Sequence, residues 1–483
     1  MKVLLLSLIF TPLVIAGLLW LIKRSKPLLL DGIAILTAVF LTGALLLLRP
    51  TQNVLVIRNY FPLVLDGLSF LLLLAANSVA LFILIYSIQY FKDADVRHKF
   101  YSWFFLMLAG VNGVVLAGDL VFLFLFLELA ALSAYFLVAF NGGAKELEAA
   151  LKYFVLGEIA SLFILIGLGL IFHLTGTLNL ANIAKIFPQN AYLAKSVITV
   201  LFLAGFGMKA ALVPFHFWLP DAHTSAPSPV SAILSGVIIK ALGVYALLRI
   251  IYNILGINPQ LVSILTALGA IALLVGGLLS LTQWDIKRLM AYSSISQIGY
   301  IVLGIGLATP LGVMGGLFHL FNHAFMKALL FLNAGAIEKA TGTRDLRKLG
   351  GLAKTLPVVY STTLVGTLAI SGIPPFNGFW SKFYIILGCL QAGQIWLALI
   401  AVVGSILTLA AYLKIQKYAF WGPDPGITVK PVPLSMDFSL IALSFLCLLI
   451  GLGSALVIGW FINPALMTLA QGTNYGQIVF GGK

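Results

Sequence analysis

Residues 120–140 read LVFLFLFLELAALSAYFLVAF, an apolar run opened by Gly118-Asp119 and carrying one charge, Glu128. About 20 apolar residues are what an α-helix needs to cross the hydrocarbon core of a bilayer. The stretch therefore reads as a transmembrane helix with Asp119 as its interfacial cap. The carboxylate inside it must be either kept protonated or paired with a cation.

Working outward, runs of the same kind fill the chain. Hydropathy places fourteen spans near 3–22, 28–48, 62–91, 100–117, 120–140, 150–173, 196–219, 227–250, 260–281, 289–307, 311–337, 356–388, 393–419 and 437–465. The class is an all-α polytopic membrane protein. Of the 483 residues, 61% are hydrophobic and 9% charged, with a mean hydropathy of +1.09; a soluble domain carries about 25% charged residues. Length alone would suggest about three soluble domains, but no segment is polar enough to fold as one. The reading is a single membrane domain, 1–483: N-terminal helices over 1–99, a first unit over 100–250, a second over 260–422, and a C-terminal helix at 437–465.

The net charge of +14 would suit nucleic acid in a soluble chain. Here it reads as basic cytoplasmic loops, and no nucleic-acid partner is expected. Of the 29 Lys and Arg, 18 fall in loops after odd-numbered spans, 7 on the opposite side, and 4 within spans. That bias places both termini on the extracytoplasmic side. Lys23, Arg24 and Lys26 follow the first apolar run rather than precede it, so the run reads as a membrane helix and not a signal peptide. Cys389 and Cys447 lie far apart in apolar stretches, with no CxxC or cluster spacing. No metal or cofactor is expected in this chain.

The four charges within spans are Lys209, Lys240, Lys327 and Lys382. A central lysine costs roughly 2.5–3.5 kcal/mol, so four facing lipid would cost about 10–14 kcal/mol, comparable to a protein's whole net stability. They must face the bundle interior, water or a carboxylate. Snorkelling serves only near helix ends, which leaves it open for Lys327 and poor for Lys209 and Lys240. Pairing of Glu128 with Lys209 follows as the economical arrangement. Lysine suits a proton relay because burial and a nearby carboxylate pull its proton affinity in opposite directions. His319, His323 and Lys327 recur every fourth residue, one stripe on span eleven that could pass protons. Glu158, two turns into span six, stands outside this set. Asp221 and His223, at the second end of span seven, read as interfacial and able to admit protons.

Pro214 follows Lys209, and Pro374-Pro375 precedes Lys382. Proline frees a backbone carbonyl, here expected to be that of Ala210, and a membrane helix tolerates such a break only where protein or water satisfies the freed group. Spans seven and twelve are thus proline-broken. Val213-Pro214-Phe215-His216-Phe217-Trp218 resembles Pro374-Pro375-Phe376-Asn377-Gly378-Phe379-Trp380 five spans later, the pattern of two repeated five-helix units, spans 4–8 and 9–13. Gly205-Phe206-Gly207-Met208-Lys209-Ala210 matches a dinucleotide fingerprint, yet it follows no strand, so its glycines read as helix-packing positions. No P-loop is present.

On these residues the chain resembles the antiporter-like, proton-translocating membrane subunits shared by respiratory complex I, Mrp-type cation/proton antiporters and group 4 membrane-bound nickel–iron hydrogenases. The resemblance runs from about Tyr101 to Gly422. It rests on Gly118-Asp119-Leu120 leading to Glu128, Lys152-Tyr153-Phe154, Gly207-Met208-Lys209 through His223, Asp285-Ile286-Lys287-Arg288 through Ser294, His319 to Lys327, and Gly372-Ile373-Pro374-Pro375 to Lys382. It implies inverted five-helix repeats and a relay along Glu128, Lys209, Lys240, His319, His323, Lys327 and Lys382. It also implies partner subunits, including homologous antiporter-like ones, which hold any iron–sulfur clusters and nickel–iron or flavin. The cargo is protons, with sodium as a second cation. Leu127 stands where the family often has tryptophan, and the Phe420-Trp421-Gly422 ending sits closer to the Mrp and hydrogenase types. The implied function is ion translocation in a prokaryotic cell membrane, inside a larger complex. A complex I-type subunit and a stand-alone antiporter are the alternatives.

Overall fold

The computed structural model describes residues 1–22, 26–48, 55–57, 62–187, 192–476 and 479, and the chain is almost wholly helical. Lys23 and Arg24 of the first basic cluster lie outside the described residues. In chain order the spans are α1 (Lys2–Leu21), α2 (Pro27–Leu47), α3 (Gly67–Tyr90), α4 (Ala94–Leu116), α5 (Leu120–Val138), α6 (Ala144–Thr175), α7a (Tyr192–Lys209), α7b (Trp218–Ser225) and α8 (Ser228–Leu255). They continue as α9 (Pro259–Thr282), α10 (Ile286–Gly306), α11 (Pro310–Thr341), α12a (Pro357–Ser371), α12b (Asn377–Gln391), α13 (Ile395–Trp421) and α14 (Leu434–Leu452). Thirteen of the described helices are long and apolar enough to cross a membrane; the twelfth span of the sequence reading is the one cut into two short halves. The last span, read over 437–465, stops at Leu452, and α15 (Ser454–Ala470) follows it. Gly451 and Gly453 flank that stop, and glycine is a poor helix former. A two-stranded antiparallel ribbon, Leu55–Ile57 with Leu63–Leu65, precedes α3.

Helix starts follow from side-chain caps. Asp66, Asp119, Asp285 and Thr309 accept backbone N–H bonds at the starts of α3, α5, α10 and α11, satisfying donors a helix leaves orphaned. Asp119 is thus the cap its position suggested.

One corner is built twice. Both α6 and α11 have 32 residues and end on a left-handed glycine, Gly176 and Gly342. In the first copy Thr175 bonds the carbonyls of Ile171 and Thr177, and Asp119 bridges Asn179. In the second Thr341 bonds those of Ile337 and Thr343, and Asp285 bridges Asp345.

The breaks also match. α7a ends without a kink: Ala211 takes φ +54, its N–H bonds the carbonyl of Met208, and the Leu212 N–H bonds that of Gly207. Gly372, at φ +83, and Ile373 do the same with Ala369 and Leu368. Both are Schellman-type stops, which satisfy terminal carbonyls locally. The expected freed carbonyl beside Pro214 is therefore replaced by a complete turn that ends the helix before the proline arrives.

α8, α10 and α11 are buried along their length and form the centre, whereas α1, α2, α6, α13 and α14 present exposed Leu, Ile, Val and Phe outward, as lipid-facing helices must. Glycines let central backbones touch: a Cβ at Gly269 of α9 would lie 2.5 Å from the Leu303 nitrogen on α10. The sequence reading gave Gly205 a packing role, and it presses on Ile164 and Ala160 of α6. Gly207 does not pack; nothing approaches its Cβ position closer than 3.8 Å.

Candidate functional site

At one side of the centre, α5, α6 and α7a converge. Lys209, on the last residue of α7a and almost fully buried, places Nζ 3.5 Å from Oε1 of Glu128. Ser161 of α6 donates to the same Oε1 at 2.5 Å. The expected Glu128–Lys209 pairing is thus present, with a hydroxyl that sequence reading missed. Ser161 lies three residues from Glu158, so a polar face on span six was visible, but its partner on α5 was not.

Lys240 lies at the middle of the bundle on α8, fully buried. From Leu234 to Tyr245 that helix is π-helical, a widening that often marks functional positions. The Lys240 ammonium folds back to donate to the carbonyls of Ser235 and Gly236, at 2.5 and 2.7 Å. Among the described residues no hydrogen bond links Lys240 directly to Lys209.

The far side joins α10, α11, α12b and α13. His319, His323 and Lys327 form the expected stripe on α11, all fully buried, with the two imidazoles 6.1 Å apart between ring centroids. His319 bonds Ser381 of α12b at 2.9 Å and Gln297 of α10 at 3.0 Å. Lys327 donates to the Met290 carbonyl at 2.8 Å, Tyr412 at 3.0 Å and Ser293 at 3.2 Å. Lys382 sits 4.5 Å over the Tyr300 ring, a cation–π contact. Its Nζ, like both ring nitrogens of His323, bonds no described protein group. The Lys240, Lys327 and Lys382 ammonium groups all lie close enough to His319 and His323 for their charges to act on them.

Two expectations are corrected. His223 is not interfacial: it is fully buried and stacked on Phe331 at 4.5 Å, because α7b tucks inward beneath α10 and α11. Lys287, counted among loop cations, is likewise fully buried and donates to the carbonyl of Ala226. Asp221 is where the reading put it, partly exposed, bonded to Lys152 at 3.0 Å and Arg288 at 2.8 Å. Partial burial pushes its carboxyl up, but Lys152 and Arg288 outweigh that and hold it below the usual carboxylate range. Pro214, Pro374 and Pro375 all lie in the turns that end α7a and α12a.

Among the described residues no group of three or more His, Cys, Asp or Glu could hold a metal. Every basic group at membrane depth is enclosed by protein rather than lipid. The arrangement is a row of proton-binding side chains, carboxylate to lysine to imidazole to lysine, across the bundle.

The family described as NADH:quinone oxidoreductase/Mrp antiporter, transmembrane, matches residues 117–408. A membrane protein of the Na(+)/H(+) antiporter of Alkalihalophilus pseudofirmus is 36% identical over 362 residues, 74% of this chain and 73% of its own. The F(420)H(2) dehydrogenase subunit N of Methanosarcina mazei is 35% identical over 461 residues, 91% of each. A chain in the structure of the Mrp complex from Dietzia sp. superposes with a TM-score of 0.92 at 30% identity, covering 100% of both. The matched segment holds every lysine, histidine and glutamate of the row, and the chain belongs to the NADH:quinone oxidoreductase/Mrp antiporter membrane family.

Proposed function

We propose that this chain is the proton-translocating membrane subunit of a multisubunit energy-coupling complex, most like the Mrp-type and membrane-bound hydrogenase subunits. The observation that carries the reading is the row Glu128, Lys209, Lys240, His323, His319, Lys327 and Lys382, enclosed in a bundle whose outer face is apolar. Two five-helix units in one membrane domain, residues 100–250 and 260–422, each supply one proton-binding cluster. The duplicated corners and matched stops support that division. The charge bias of the loops supports both termini on the extracytoplasmic side of a prokaryotic cell membrane. Sodium exchanges against protons if the complex is of the antiporter type. Iron–sulfur clusters with nickel–iron or flavin belong to partner subunits if it is of the redox type.

The Glu128–Lys209 pair is the adjustable element. At an effective dielectric of about 20, doubling the separation from 3.5 Å weakens the attraction by about 2 kcal/mol, more than tenfold in the lysine's hold on its proton. A small movement at the α7 stop therefore switches Lys209 between keeping a proton and passing it towards Lys240. Lys209→Ala is expected to abolish proton transport in proteoliposomes while leaving the complex assembled; near-normal transport would sink the reading. A second reading, a subunit of a quinone-reducing complex, is supported by the nearly full-length likeness to the dehydrogenase subunit. Assaying the native complex for nickel, iron and flavin separates the two.

A further inference from the structure

Glu158 plays no part in the row above, yet it lies at its first station. It is on α6, three residues before Ser161, whose hydroxyl bonds both Glu128 and the carbonyl of Gly157. Glu158 is close enough to Glu128 and Lys209 for all three charges to act on one another. Its Oε1 is buried and bonds no described protein group. The hydroxyl of Tyr135, a nearly fully buried side chain on α5, has no described partner either. That hydroxyl rests against Gly157, where a Cβ would collide with it, and it lies within electrostatic reach of both carboxylates.

The charges do not balance. One lysine faces two carboxylates, so the fully ionised cluster carries a net negative charge at a wall lined by exposed Leu125, Leu132 and Phe136 of α5 and Val155, Ile159 and Leu162 of α6. An uncompensated charge in such surroundings costs several kcal/mol. One additional proton removes it without disturbing the Glu128–Lys209 pair. The groups facing Glu158 are Glu128 and Tyr135 from α5 and Lys209 from α7a; Lys209 is the one cation among them.

We propose that Glu158 is a second proton-carrying carboxylate of the Glu128–Lys209 site, holding a proton at rest and exchanging it at the gap between α5 and α6. When the ammonium of Lys209 leaves Glu128 for Glu158, the proton on the Glu158 carboxyl passes to Glu128. The pair is re-formed with the partners exchanged, and no charge is created. The site then offers two proton positions side by side, one towards the bundle centre and one towards the outer wall. This rests on the translocation reading above.

Infrared difference spectroscopy on the intact complex tests it. A protonated-carboxyl stretch is expected at neutral pH, lost in Glu158→Gln and shifted but kept in Glu158→Asp. Glu158→Gln is further expected to lower proton transport about tenfold and alter its pH profile, with partial rescue by Glu158→Asp. If the carboxyl band survives Glu158→Gln unchanged, or that variant transports with the wild-type rate and pH profile, the proposal is overturned. The Lys209→Ala result decides the underlying reading separately. Loss of transport there with a normal Glu158→Gln would remove only the second carboxylate.

Discussion

Arg249 near the end of α8 reads in sequence as an extracytoplasmic loop charge, but its guanidinium is buried and meets Asp66 at 2.5 Å. It also bonds Ser69 at 2.8 Å and Tyr245 at 3.0 Å, while Tyr475 reaches Asp66 from the C-terminal segment at 3.3 Å. Separate parts of the chain are thus tied at one point. Removing one member of a buried ion pair strands the other and costs about 3–5 kcal/mol. Asp66→Asn, which keeps a capping side chain, is expected to lose that amount, read as a large fall in thermal midpoint in detergent. A change within about 0.5 kcal/mol would mean that water reaches the arginine. The relay lysines were legible at this same scale because an ammonium in an apolar run has so few tolerable positions. Ser161, Gln297, Ser381 and Tyr412 were not, since a hydroxyl or amide in a membrane helix is cheap and its partner lies on another helix.

At the scale of the element, the α7 stop and α8 depend on each other. An ideal Cβ on Gly243 would sit 2.5 Å from the Cα, Cβ and nitrogen of Ala210, one residue beyond Lys209. Gly243→Ala must therefore push the π-helical stretch of α8 off the stop. Overpacking of this kind costs about 1–3 kcal/mol, and transport is expected to fall with it because Lys209 and Lys240 are displaced together. Gly207→Ala has open space and is expected to be near neutral in thermal stability. Equal effects from the two variants would show that the close approach is unimportant. The sequence pointed to a break from Pro214 but not to its form. A Schellman stop needs Ala211 in a left-handed conformation, uncommon for a residue with a Cβ, and local sequence carries no such signal.

At the scale of the whole molecule, Asp221 on α7b binds Lys152 of α6 and Arg288 of α10, clasping one five-helix segment to the other at a partly exposed face. Its carboxyl is held below the usual range despite partial burial. A lowered folded-state value means the stabilisation is fully present above the unfolded value and lost as pH falls through the folded one. The thermal midpoint of the wild type should therefore exceed that of Asp221→Asn near neutral pH. The difference should close below about pH 4, the ordinary aspartate range; a gap unchanged by acid would show that the clasp is not ionic.

By itself the sequence determined the class, the fourteen spans, the two broken ones and the seven candidate relay residues, because bilayer thickness and the cost of buried charge act on each segment locally. Tertiary structure decided which groups those residues meet: Ser161 on Glu128, Tyr300 under Lys382, the inward turn of His223, the burial of Lys287 and Arg249. Each of these depends on packing between helices distant in sequence, where a few tenths of an ångström separate contact from collision, and hydropathy carries no record of which faces will touch.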